Sequence, residues 1–209
     1  MKNIKKYIKE NKKDLIIIGI TSLLFIILSI LVMTEKTLTL DIQTHTHIIN
    51  MRTNALTKIL TIITNFAGAT FLLAFSVILI IIKKNKKIPL FMLLNIITAF
   101  FINEIAKSIF ERSRPIGINL IEETGLSYPS GHSMVGLSFY GLIIYFIYKS
   151  KKSKNIKITY ITGLTILILL IGFSRIYLGV HYLTDIIGGF LLSIIYLTIY
   201  IKCIKLEKK

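Results

Sequence analysis

Three short motifs between residues 107 and 185 combine cations, histidines and a carboxylate in a pattern that fits phosphate chemistry. They read Lys107-x₆-Arg114-Pro115, Pro129-Ser130-Gly131-His132 and Ser174-Arg175-x₅-His181-x₃-Asp185. Lysine and arginine neutralise phosphate oxygens, and the planar guanidinium can contact two oxygens at once. The set contains what is needed to hold a phosphate, attack its phosphorus and protonate the group that leaves.

The candidate catalytic residues are His181, Asp185 and His132. His181 and Asp185 are four residues apart, so a helix would place them on one face. A carboxylate that accepts from one imidazole nitrogen fixes the tautomer and leaves the other nitrogen free as a nucleophile. His132 starts a different helix and is the candidate general acid.

The candidate phosphate ligands are Lys107, Arg114, Ser130, Gly131 and Arg175. Ser130 can donate a hydroxyl hydrogen bond, and Gly131 lets a backbone N–H approach an oxygen closely. Taken singly, these features have ordinary structural explanations, because arginines at a membrane edge often snorkel and serine often caps a helix. Their joint occurrence, in order and on one side of the membrane, favours a site.

The rest of the chain predicts a membrane protein. It has 209 residues, of which 54% are hydrophobic, and a mean hydropathy of +0.72, well above that of soluble domains. A bilayer core needs about 20 apolar residues per helix. Six apolar stretches meet or approach that length, at residues 15–33, 59–82, 88–106, 131–148, 158–174 and 182–201. We predict an all-α, polytopic, six-helix bundle that forms a single domain over residues 1–209.

Charge predicts the orientation of the bundle. Most of the 26 Lys and Arg residues flank the apolar stretches in the N-terminal tail, the second and fourth linkers and the C-terminal tail. Positive loops face the cytoplasm, so both termini should be cytoplasmic and the three motifs extracytoplasmic. Lys107, Arg112, Arg114 and Arg175 break the bias on the motif side, which is typical of a functional site. Cation clusters of this kind contact lipid headgroups, so the net charge of +16 does not imply a nucleic-acid partner.

The cysteine, histidine and acidic residues outside the motifs do not form a pattern that predicts a cofactor. Cys203 is the single cysteine, which excludes an intramolecular disulfide and a thiol metal cluster. His45 and His47 lack a matching ligand set, and we interpret them as solvated loop residues. Glu122 and Glu123 are also interpreted as solvated, with selection of a cationic headgroup as the alternative. We expect no metal and no other cofactor.

Two segments near the motifs each have two interpretations. Glu104 and Asn103 precede Lys107 by one turn and either buttress it through a buried ion pair, which we favour, or line the substrate entrance. Residues 35–58 form either a connector that skims the headgroups, which we favour, or an interfacial helix that guides a lipid.

On the residues of its three motifs, the chain resembles the type 2 phosphatidic acid phosphatase family, which shares its site with vanadium haloperoxidases. The resemblance covers residues 107–185 and is complete at the signature positions. It implies that His181 becomes a phosphohistidine, that Asp185 orients it and that His132 protonates the leaving group. It also implies that the five candidate ligands bind phosphate and that no metal is required.

We therefore predict a lipid phosphatase at the outer face of the cytoplasmic membrane, with no obligatory protein partner. By resemblance, its substrates are undecaprenyl pyrophosphate, phosphatidylglycerol phosphate or phosphatidic acid. A non-enzymatic lipid transporter or flippase is the main alternative. It would favour charges through the bilayer midplane and broken helices in paired halves, whereas here the ionisable groups crowd one face. A vanadate-dependent oxidase is a second alternative, and the membrane helices argue against it.

Overall fold

The computed structural model describes residues 11–206 and arranges them as eight α-helices, with no strand in that range. The helices are α1 Lys12–Met33, α2 Leu38–Ile49, α3 Asn54–Asn65, α4 Ala69–Ile82, α5 Lys87–Phe110, α6 Gly131–Lys149, α7 Lys154–Tyr177 and α8 Leu183–Leu206. The all-α prediction is confirmed. The predicted basic tail at residues 1–10 and residues 207–209 lie outside the described range.

Five of these helices, α1, α5, α6, α7 and α8, are long and apolar enough to cross a membrane. The bent pair formed by α3 and α4 can provide a sixth span. Large apolar side chains are exposed along these helices, among them Leu23, Ile62 and Phe101. Such exposure is costly in water and natural against lipid.

The prediction of one continuous helix over residues 59–82 is wrong, because the chain breaks between α3 and α4. The two helices are bent by 48° relative to each other. α3 packs against α7, whereas α4 packs against α5, so the break lets one span change partners. The carbonyl of Phe66, at the break, accepts a hydrogen bond of 2.7 Å from the Tyr140 hydroxyl. A carbonyl freed from the helix is therefore satisfied inside the bundle.

Helix α6 lies at the centre of the bundle and packs against α5, α7 and α8. Its buried side chains include Met134, Phe139 and Leu142. Gly189 on α8 faces the start of α6, where an added Cβ would lie 2.7 Å from the Ser130 carbonyl oxygen. Only glycine permits this approach, which brings the second and third motifs together.

Candidate active site

The three motifs converge at one end of the bundle. Arg114 of the first motif lies against the third, with Nη1 donating to the Val180 carbonyl at 2.9 Å. Ser130 of the second motif donates its backbone N–H to the Asp185 carbonyl at 3.0 Å. The predicted convergence of residues far apart in the chain is therefore present.

The end of α7 places His181. Gly179 adopts a left-handed conformation with φ of 78°, just after the C-cap Leu178. The Gly179 N–H donates to the Ile176 carbonyl, and the Val180 N–H donates to the Arg175 carbonyl at 3.2 Å. This is a Schellman ending, which needs glycine at the left-handed position. It folds the chain back, so that the His181 N–H also reaches the Arg175 carbonyl, at 3.3 Å.

His181 and Asp185 meet, although not as two positions on one helix face. Helix α8 begins at Leu183, with Asp185 in its first turn as predicted, and His181 lies in the preceding loop. His181 Nδ1 is 3.4 Å from Asp185 Oδ2. The same oxygen accepts from the Ser127 hydroxyl at 2.5 Å and from the Tyr182 N–H at 2.8 Å. The buried carboxylate is therefore held in one orientation.

The hydrogen bonds of His181 define its tautomer. Arg114 Nη1 lies 3.1 Å from His181 Nε2. Because arginine can only donate, Nε2 must be the acceptor and the ring proton is on Nδ1, towards Asp185. Burial lowers the pKa of His181 to about 4, against the opposing effect of Asp185. The ring is thus neutral near pH 7, with a lone pair on Nε2.

Helix α2 braces this loop. The sequence analysis gave a helix here only as its second interpretation and did not predict this role. Asp41 is fully buried and accepts from Arg112 Nη2 at 2.6 Å, while Arg112 Nη1 donates to Asp185 Oδ1 at 2.7 Å. Asp41 also accepts from the Thr184 N–H at 3.1 Å and from its hydroxyl at 2.7 Å. Arg112 therefore connects two buried carboxylates and fixes Asp185 from the side opposite His181.

The interpretation of His45 as a solvated residue is wrong, whereas His47 is exposed as expected. His45 is buried on α2, stacks on Tyr182 at 5.3 Å between centroids, and Nε2 donates to the His181 carbonyl at 2.9 Å. Burial lowers the pKa of His45, so the ring is neutral and carries its proton on Nε2. Residues 35–58 are thus mostly helical rather than a connector. The buried positions 41, 45 and 48 have helical spacing, which is a signal that could have identified α2.

The cations are arranged around Glu123. Arg175 is 1% exposed and donates through Nη1 to Thr64 at 2.8 Å and through Nη2 to the Glu123 carboxylate. Arg114 Nη2 lies 3.6 Å from the other oxygen of that carboxylate. The interpretation of Glu123 as a solvated residue is therefore wrong, whereas Glu122 is exposed.

Lys107 lies beside the second motif. An added Cβ on Gly131 would be 3.9 Å from Lys107 Nζ and 3.1 Å from Asn103 Oδ1. Lys107 pairs with Glu104 at 3.0 Å, but the Glu104 side chain is 47% exposed, so the predicted ion pair exists without being buried. Buried Asn103 instead donates to the Pro129 carbonyl at 3.2 Å and so supports the second motif.

Ser130 and His132 complete the predicted set. Ser130 is the N-cap of α6 as expected, with its hydroxyl oxygen 3.5 Å from the Ser133 N–H. The electrostatic neighbours of the His132 ring are Arg175, His181, Arg114 and Lys107. The positive end of α6, at Gly131, lines one cleft together with His132 and Lys107, and this arrangement suits an anion.

A cleft of about 380 Å³ connects this end of the bundle with the lipid-facing surface. Its polar lining includes Lys107, Glu123, Gly131 and His132. Its apolar lining comes mainly from α4 and α5, through Leu73, Ile96, Ile97, Phe100 and Phe101. Residues 96 and 107 are separated by about 16 Å along a helix, so the cleft extends well into the spanning region.

No group of three or more His, Cys, Asp or Glu side chains arranged to hold a metal occurs within residues 11–206. The free thiol of Cys203 is exposed near the end of α8. The charged groups of the site are instead paired with one another. The donor set favours binding of an anion over binding of a cation.

Comparison with known proteins gives a family match and two related proteins. Residues 88–209 match the PAP2 superfamily. The chain is 34% identical to phosphatidylglycerophosphatase B of Bacillus subtilis over 178 residues, which cover 83% of this chain and 87% of that protein. It is 30% identical to an undecaprenyl-diphosphatase of Sulfolobus acidocaldarius over 122 residues, 56% of this chain and 55% of that protein.

Two solved structures share the fold. A transmembrane PAP2-type phosphatidylglycerolphosphate phosphatase from Bacillus subtilis superposes with a TM-score of 0.82 at 30% identity, covering 92% of this chain and 97% of that one. Aquifex aeolicus LpxE superposes with a TM-score of 0.64 at 24% identity, covering 78% and 95% of the two chains. The first supports the multi-pass architecture directly, and the second supports the fold alone.

Proposed function

Because the chain belongs to the PAP2 superfamily, a family of membrane lipid phosphatases, we propose that it removes a phosphoryl group from a lipid through a covalent intermediate on His181. The protein is a multi-pass membrane enzyme that hydrolyses lipid phosphate. One observation carries the proposal for the mechanism. It is the lone pair of His181 Nε2, held opposite Asp185 and within 3.1 Å of an arginine donor.

In the first step, Arg114 Nη1 transfers its hydrogen bond from His181 Nε2 to a phosphoryl oxygen. The released lone pair of Nε2 attacks phosphorus while the bond from phosphorus to the lipid oxygen breaks. His132 gives its proton to that oxygen, and the lipid leaves as an alcohol from a phosphate monoester or as a lipid monophosphate from a pyrophosphate. A bound phosphate next to His132 favours the protonated ring that this step needs. Asp185 stabilises the positive charge that develops on His181.

In the second step, water attacks the phosphorus and the bond from phosphorus to Nε2 breaks. His132, now neutral, accepts the proton of the water, so the enzyme returns to its starting state and inorganic phosphate is released. Lys107, Arg114, Arg175, Ser130 and the N–H of Gly131 bind the phosphoryl oxygens in both steps. Their charge offsets the charge on those oxygens in the transition state.

The cleft between α4, α5 and α6 is proposed to hold the lipid tail. Its apolar lining extends along α5 from Lys107 to Ile96, so a tail can enter sideways while the phosphate stays among the cations. We place the site at the extracytoplasmic face of the cytoplasmic membrane, because most cations lie at the opposite end of the predicted spans. Residues 1–209 then form one domain.

Among lipid phosphates, we propose phosphatidylglycerol phosphate as the first substrate to test. The phosphatidylglycerophosphatase B of Bacillus subtilis shares 34% identity with this chain over most of both proteins. Undecaprenyl pyrophosphate is the second, on the basis of the shorter match. Both present a terminal phosphoryl group on a long apolar tail. That combination matches the cations and the cleft.

Phosphate release from purified protein in detergent tests this proposal. Phosphatidylglycerol phosphate, undecaprenyl pyrophosphate and phosphatidic acid are each supplied with a chelator, and at least one should release inorganic phosphate. His181→Gln should abolish release, and the matched variant His47→Gln, in an exposed histidine, should not. Release from no lipid, together with movement of a lipid across vesicles, would favour the transporter.

A further inference from the structure

We propose that Glu123 is an internal competitor for the phosphate subsite and sets how strongly an anion must bind in order to enter it. The inference rests on the proposed function, because it takes Arg114 and Arg175 as phosphate ligands. Glu123 lies between the first two motifs and has no part in the two chemical steps. Its position nevertheless places a negative charge among the cations of the site.

The Glu123 carboxylate lies where the two arginines meet. Oε1 accepts from Arg175 Nη2, and Oε2 lies 3.6 Å from Arg114 Nη2. Glu123 also lines the cleft together with Lys107 and His132. A carboxylate that bridges two guanidinium groups makes the contacts that two oxygens of a phosphate would make.

The remaining donors of Arg114 are already bonded to the protein. They donate to the Gly125 carbonyl at 3.0 Å, the Thr124 carbonyl at 3.0 Å, the Val180 carbonyl at 2.9 Å and His181 Nε2 at 3.1 Å. Arginine has five N–H groups, so one is left, on the nitrogen that faces Glu123. An incoming phosphate gains that donor only by displacing Glu123.

Arg175 provides an independent indication of an anion site. Its side chain is 1% exposed, and its Nε has no hydrogen-bond partner among the described residues. A buried guanidinium with an unused donor is costly. A phosphate offers more oxygens than a carboxylate, so replacing Glu123 allows Arg175 to form additional bonds.

The exchange sets one threshold of affinity for every anion, and the charge of the anion decides whether it exceeds that threshold. Displacing Glu123 costs every ligand the same, whereas the attraction gained grows with the charge of the ligand. A phosphate monoester carries about two charges near neutral pH and a phosphodiester carries one. Bulk phospholipids are phosphodiesters with tails like those of the substrate. Glu123 therefore keeps them out of the site while a terminal phosphoryl group enters.

Anion binding by two isosteric variants tests this inference. Glu123→Gln removes the charge, and Glu122→Gln removes the same charge from the exposed neighbour. Titration calorimetry with orthophosphate and with dimethyl phosphate should show Kd about tenfold lower for both anions in Glu123→Gln. Kd should fall by the same factor for orthophosphate and for dimethyl phosphate, because the free-energy cost of displacing Glu123 is the same for both anions. Glu122→Gln should leave both Kd values within about twofold.

Turnover provides a second readout. With substrate held well below its Michaelis constant, a phosphodiester lipid at a concentration between its Kd values for the two proteins should leave the wild-type rate nearly unchanged and should inhibit Glu123→Gln. Glu123→Asp withdraws the carboxylate by one methylene while keeping its charge, and its Kd for orthophosphate should lie between those of the wild type and Glu123→Gln.

The inference is overturned if both variants of Glu123 bind orthophosphate no tighter than Glu122→Gln does, because Glu123 would then only support the arginines. Anion binding is measured without turnover. A wild-type protein that releases no phosphate from any lipid would therefore contradict the proposed function and leave these binding results to decide the role of Glu123.

Discussion

Replacing Asp41 by Asn should lower turnover although residue 41 does not touch the phosphate subsite. The buried Asp41 carboxylate accepts from Arg112 at 2.6 Å, and Arg112 in turn holds Asp185 at 2.7 Å. The asparagine amide keeps the shape, but it removes the charge and can turn an N–H group towards the guanidinium. Asp185 would then lose part of the support that fixes it against His181.

The expected magnitude follows from the bond that is lost. A hydrogen bond to a charged group contributes about 1.5–3 kcal/mol, so kcat should fall about 10- to 100-fold if the whole loss affects the orientation of Asp185. The Michaelis constant should change little, since the phosphate ligands keep their own partners. Some loss of thermal stability is also expected, because Asp41 holds Thr184 as well.

Steady-state hydrolysis of a lipid phosphate in detergent measures both parameters, and thermal unfolding shows whether the variant is folded. Asp14→Asn is the matched control, because it makes the same change in a partly exposed side chain on α1. A folded Asp41→Asn protein with the kcat of Asp14→Asn would refute the positioning role of α2. A rise in Michaelis constant at unchanged kcat would also refute it.

Three further predictions concern titration, packing and topology. Because His181 must be neutral to attack and burial lowers its pKa to about 4, kcat/KM corrected for the ionisation of the substrate phosphate should decline as pH falls through about 4; a corrected decline centred near 6.5 would contradict this. Gly189→Ala should destabilise the protein by about 1–3 kcal/mol, since the new methyl group meets the Ser130 carbonyl, whereas Gly163→Ala, with open space around it, should not; equal melting temperatures would refute the packing argument. In a Cys203→Ser background, an impermeant maleimide applied to intact cells should label Ile116→Cys, in the exposed loop after α5, but not Lys151→Cys; the reverse pattern would invert the orientation.

Local signals in the sequence account for much of what could be predicted. Apolar length located the spans, the serine before Gly131 marked the start of α6, and Asp185 falls in the first turn of α8 as expected. The three motifs also predicted one shared site, and Arg114 and His181 do lie together in the fold. Each of these features depends on neighbouring residues or on a pattern of residue types.

The features that were missed depend on contacts between distant parts of the chain. Asp41 and Thr184 are 143 positions apart, and no periodicity in either segment encodes their pairing. The sequence around Glu123 does not distinguish it from a solvated acidic residue in a loop. Its contacts with Arg114 and Arg175 exist only in the folded protein. The break before α4 lies within an uncharged run, where Asn65 and Gly68 are the local signals, whereas the exchange of packing partners that it permits is a tertiary effect.

Trapping the covalent intermediate tests the central claim most directly. Wild-type protein is mixed with a lipid phosphate, quenched in alkali during turnover, and digested for mass spectrometry. The peptide that contains His181 should carry one added phosphoryl group on the imidazole, and the His47→Gln control should give the same product. A phosphoryl group on another residue during full turnover, or active His181→Gln protein, would contradict the account.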